Sequence, residues 1–96
     1  AVDRARAAYF YGDMELVIES VRLVVEGVLP STTAQKAECF RFLGIALYLT
    51  GRARGAEDAF VALLRLRPKA ELDTKTTRQD VIAFFSDVAG RYRAER

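Results

Sequence analysis

Along most of this chain apolar residues recur at intervals of three and four, the period of a helix with one buried face. Five such stretches follow one another. The first covers Val2 to Tyr11 and stops at Gly12, a residue suited to helix C-termini. Asp13 caps a second from Met14 to Val28, with Met14, Val17, Ile18, Val21, Val24, Val25 and Val28 on one stripe, and Leu29-Pro30 closes it. Its many β-branched residues suit a strand by propensity, but a run of about 15 residues with this spacing predicts a helix.

Ser31, Thr32 and Thr33 open the third stretch, and Thr32 with Gln35 three residues on has the pattern of a capping box. It runs to about Thr50. From Phe40 to Leu49 it is apolar nearly all round, broken mainly by Arg41, so it needs cover on more than one side. Gly51 stops it. The fourth, Ala53 to Leu66, carries Ala56, Ala59, Phe60, Leu63 and Leu64 on its buried stripe, and Pro68 follows. Lys69 to Thr76 have no helical period and read as a loop. Thr77 with Asp80 predicts a second capping box for a fifth helix, Arg78 to Arg93. Its stripe is Val81, Phe84, Phe85, Val88 and Tyr92, and Arg91, Arg93 and Arg96 stand where they favour the helix dipole. The expectation is one all-α domain.

The first two helices and the next two share a layout. Gly12 corresponds to Gly51, Val17 to Ala56, Val21 to Phe60, and Leu29-Pro30 to Pro68. In the second copy, Phe40, Leu43-Gly44, Leu47, Ala56, Phe60 and Pro68 resemble the signature positions of a tetratricopeptide repeat (TPR). The resemblance implies a right-handed array of α-hairpins: a degenerate repeat over 1–30, a well-formed one over 34–68, a loop over 69–76 and a capping helix over 77–94. Gly44 and Ala56 would be small because two helices approach there, and Pro68 would let the next helix turn back. The chain departs from the family at Leu63, where a small residue is usual. Its copies are also 39 residues apart from Gly12 to Gly51, against about 34 in the family. The leucine-rich helix, proline, Leu72-Asp73 and Val81 to Phe85 together resemble TPR domains of envelope-associated proteins of deltaproteobacteria. This implies the bacterial cell envelope or periplasm, with the cytoplasm as the alternative.

In this family the first helix of each pair lines a concave surface. Carried over, this gives Arg6, Tyr9 and Phe10, then Glu38, Arg41, Phe42, Ile45, Tyr48 and Leu49, an apolar groove with a basic fringe. The resemblance therefore implies a scaffold that holds a protein or peptide partner through Arg6, Tyr9, Phe10, Arg41, Ile45, Tyr48 and Leu49. A clamp for a C-terminal carboxylate is not expected, since Ile45 stands where an asparagine is required and the chain has no asparagine. Ile45, Tyr48 and Leu49 have two further uses open to them: packing on the fifth helix, or on a second copy of the chain in a homo-oligomer.

Composition narrows the chemistry. The net charge is +2 from 15 basic and 13 acidic residues that are mostly interspersed, so no nucleic-acid partner is expected, though Arg52, Arg54, Arg65, Arg67 and Lys69 keep a small basic binder as a minor reading. No histidine is present and Cys39 is the one cysteine, which excludes the common zinc sites and histidine-assisted nucleophiles. Cys39 lies in an apolar run and reads as a small buried hydrophobe. No phosphate loop or dinucleotide fingerprint occurs. Neither an enzyme nor a cofactor is expected. No apolar run is long enough to span a membrane. The chain begins at Ala1 and not at methionine, which reads as a trimmed or mature part of a longer protein.

Overall fold

The computed structural model describes residues 2–95, which form α1 (Val2–Phe10), α2 (Met14–Val25), α3 (Thr33–Leu49), α4 (Ala53–Leu66) and α5 (Gln79–Ala94), with no strand among them. The expected all-helical class is therefore observed. Arg96, placed in the basic cluster at the end of the fifth helix, lies outside the described residues. No helix is long and apolar enough to cross a membrane among those described.

Helix ends follow local side-chain chemistry. The Asp13 carboxylate accepts from Leu16 N at 3.1 Å and starts α2. At α3 the capping box is complete: Thr32 Oγ1 accepts from Gln35 N and Gln35 Oε1 from Thr32 N. One boundary differs from expectation. α2 ends at Val25, not Val28, because Gly27 adopts φ +79°. That conformation lets Val28 N–H donate to Leu23 O and Gly27 N–H to Val24 O, a Schellman closure that satisfies two end carbonyls. Gly12 and Gly51 close α1 and α3 by the same pair of bonds. Val28, expected on the buried stripe, is consequently exposed.

The core has two parts with α3 between them. On one side Cys39, Phe42 and Ala46 of α3 meet Ala5, Ala8, Val17, Val21 and Val24 of the first hairpin. On the other, Ala37 and Ile45 meet Phe60, Leu63 and Leu64 of α4 and Val81, Phe85 and Val88 of α5. This is why α3 is apolar nearly all round. The five residues expected on the buried stripe of α4 are the five that are buried. Gly44 is small because the Phe60 ring occupies the space its side chain would fill. Leu63 is buried in this second cluster.

The segment from Arg67 to Arg78 is a strap. It leaves the end of α4, and Arg93 near the end of α5 donates to Pro68 O and Ala70 O there. At its other end the Tyr9 hydroxyl of α1 donates to Thr76 O at 2.7 Å. Midway, Leu72 is buried in the cluster of α3, α4 and α5. The Phe84 ring, early in α5, lies 4.7 Å from that of Tyr48 near the end of α3. After Pro68 the strap therefore carries the chain to α5, which packs on α4 through the Phe60–Phe85 ring contact at 5.1 Å and the Arg91–Glu57 ion pair at 3.3 Å.

This course overturns the capping box expected at Thr77 and Asp80. Arg78 is the N-cap and makes no side-chain cap bond. Thr77 is 7% exposed and its hydroxyl has no hydrogen-bond partner. Asp80 instead pairs with Arg78 at 2.9 Å and accepts from Val81 N. Burial of the strap draws Thr77 inward, away from the helix end.

Candidate interaction surface

The residues expected on the concave face begin with a polar rung between α1 and α3. Glu38 takes Arg41 in a bidentate pair, Nε to Oε1 and Nη2 to Oε2, each 2.9 Å. Arg6 of α1 approaches the same carboxylate at 3.7 Å. Both pairs arise from positions that face one another: Glu38 and Arg41 are one helical turn apart, and Arg6 sits across the interhelical gap. The Arg41 hydrogen bonds, outweighing partial burial, hold the Glu38 carboxyl below its usual range. The Arg41 guanidinium also lies over the Phe42 ring, 4.4 Å from its centroid.

Aromatic contacts extend this rung. The Tyr9 ring is 5.7 Å from Phe42 and 6.0 Å from Phe10. Phe10 is 69% exposed, and Tyr11 beside it is more so. Arg6, Tyr9, Phe10 and Arg41 are thus brought together around Glu38 and Phe42.

Ile45, Tyr48 and Leu49 are placed differently. Ile45 has no exposed surface and belongs to the cluster with Val81 and Phe85. Tyr48 and Leu49 are half-buried against the same cluster. Of the uses open to these three, packing with α5 is the one observed, and with α5 docked Ile45 faces no partner. The reason is the strap: Leu72 and α5 fill the groove beside the second half of α3.

Beside the first half of α3 the groove stays open. A hollow of about 690 Å³ lies between Ala34, Ala37 and Arg41 of α3, the end of α4 and the first residues of the strap. The sequence reading missed these residues of α4 and the strap, and it missed Leu72. One signal for Leu72 existed: it is the only large apolar residue between Lys69 and Thr76, and a lone apolar side chain in a polar loop is often an anchor.

Cys39 is fully buried, and burial pushes its thiol pKa up, which disfavours the thiolate. Among the described residues no group of three or more His, Cys, Asp or Glu side chains is placed to hold a metal ion. Comparison of the chain with family models, with curated proteins and with solved structures gives no match.

Proposed function

We propose that this domain is a TPR-like protein-interaction module, which holds a segment of a protein partner against the side of α1 and α3 that carries Arg6, Tyr9, Phe10 and Arg41. The observation that carries this reading is the exposed Phe10 ring set beside the Arg6–Glu38–Arg41 rung. An aromatic anchor next to arginine side chains is the composition typical of protein interfaces. The packing of the first helix pair on α3, and of α3 on α4, supports the repeat architecture. The reading assigns the chain no reaction. It has no histidine, and its one thiol is buried with a raised pKa.

Arg6→Glu with Phe10→Glu tests the reading, because both side chains are exposed and neither belongs to a buried cluster. Crosslinked capture from native cell extract should recover a partner with the original chain and lose it with the double variant. Identical capture by both would sink the proposal.

A second reading is favoured by one further observation. Phe10, Tyr11, Leu23, Val28 and Leu29 are the exposed large hydrophobics, and all lie on the first hairpin or just after it. A second copy of the chain would bury such a surface. Sedimentation equilibrium from micromolar to millimolar concentration decides it: a constant monomer mass removes self-association.

A further inference from the structure

The open half of the groove has a shape, a charge balance and an internal precedent that together define its occupant. We propose that the hollow between the first half of α3, the end of α4 and the start of the strap docks a partner segment in which an apolar residue is flanked by carboxylates. This rests on the partner-binding reading above and extends the contact surface past Glu38 and Arg41, which the hollow shares with it.

The shape comes first. Ala34 and Ala37 keep the floor low on the α3 side, and Leu63, Leu66 and Pro68 form an apolar wall on the other. The volume, about 690 Å³, lies within the range of sites that take a ligand of several side chains' size.

The charge balance selects the sign of the visitor. Glu38 borders the hollow, but its charge is already met by Arg41 and Arg6. Arg67 and Lys69 on the opposite rim are exposed, and neither has an ion-pair partner among the described residues. Glu71 is the one acidic lining residue without such a partner. Two unmatched cations against one unmatched anion favour a carboxylate-bearing segment.

The internal precedent supplies the pattern. In the strap, Leu72 is buried at 7% exposure while its neighbours Glu71 and Asp73 stay exposed. Next to the hollow, α3, α4 and α5 thus already bury, from the chain itself, an apolar side chain between two exposed carboxylates. A partner segment of the same pattern would continue that line toward the start of α3. Its apolar side chain would rest on Ala34 and Ala37, and its carboxylates would reach Arg67 and Lys69.

Fluorescence anisotropy with two labelled peptides tests this, one built of repeated Glu-Leu-Asp units and one of repeated Lys-Leu-Lys units. The acidic peptide should bind about tenfold or more tightly than the basic one. Arg67→Glu with Lys69→Glu should reverse that preference. Ala34→Trp, a change at an exposed position that fills the hollow, should weaken the acidic peptide by about tenfold or more. Equal affinity for the two peptides, no binding of the acidic one, or unchanged affinity in Ala34→Trp would each overturn the proposal. A chain that captures a native partner through Arg6 and Phe10 yet ignores the acidic peptide overturns this docking site and leaves the broader reading standing.

Discussion

A Cβ added to Gly44 would lie 2.6 Å from Cδ1 and 2.8 Å from Cζ of Phe60, inside the contact distance of the ring. Two effects then compete in Gly44→Ala. Helix propensity gains about 1 kcal/mol, and overpacking costs about 1–3 kcal/mol. Phe60 is fully buried, so its ring has little room to move and the second effect should win. Urea denaturation should show a net loss of about 1 kcal/mol with unchanged slope; a gain would mean the ring yields freely. Glu38 makes a pH prediction. Its carboxyl is held below its ordinary value by Arg41 hydrogen bonding. The folded state therefore draws stability from this group above the unfolded-state pKa, and loses it as pH falls through the lowered folded value. The difference in urea midpoint between the original chain and Glu38→Gln should shrink from neutral pH to about pH 3. A difference that stays constant would mean that Arg41 and Arg6 do not act through the charge. The effect is small, because both partners reach solvent.

Two stretches of sequence carry the same capping pattern, and only one forms it. Thr32 and Gln35 satisfy each other because every atom involved lies within one turn of α3. Thr77 and Asp80 have the same spacing, yet Thr77 is turned into the core with an unmatched hydroxyl. The winner there is burial of the strap, in which Leu72 anchors the same cluster that holds Ile45 and Phe85. The two threonines should therefore respond oppositely. Thr32→Ala should cost about 1 kcal/mol. Thr77→Val replaces an unsatisfied buried hydroxyl by a methyl group and should be neutral or stabilising by up to about 1 kcal/mol. Thermal unfolding of the two variants separates these outcomes, and a marked loss for Thr77→Val would show that its hydroxyl has a partner after all. The early end of α2 belongs at this scale too. Gly27 was readable as a C-cap signal, but the longer apolar stripe through Val28 masked it.

At the scale of the molecule, α3 gives each of its faces to a different cluster, so neither half of the core can loosen without disturbing the other. The radius of gyration, 12.3 Å, matches the roughly 12–13 Å of a compact chain of this length. Leu64→Ala should cost about 2–5 kcal/mol and lower amide protection in α2 as much as in α4. Protection lost in α4 and α5 alone would show two independent units. Much of this architecture was written locally. The helices, the glycine closures, the buried stripe of α4 and the two-sided cover of α3 follow from periodicity and from residues within a turn of each other. Such signals survive in sequence because the interacting groups are neighbours on the chain. The meeting of Arg6 with Glu38 and of Tyr9 with Phe42 came only from carrying over a repeat pattern. Nothing in the sequence stated that the strap crosses from Pro68 to Tyr9, since its decisive bond joins residues 67 positions apart. That crossing buries Ile45, half-covers Tyr48 and Leu49, and leaves open the hollow beside Ala34 and Ala37. The sequence determined which helices form and which faces they bury. Only the tertiary structure decided which part of the groove stays open, because that depends on where a segment without periodicity finds its one apolar anchor.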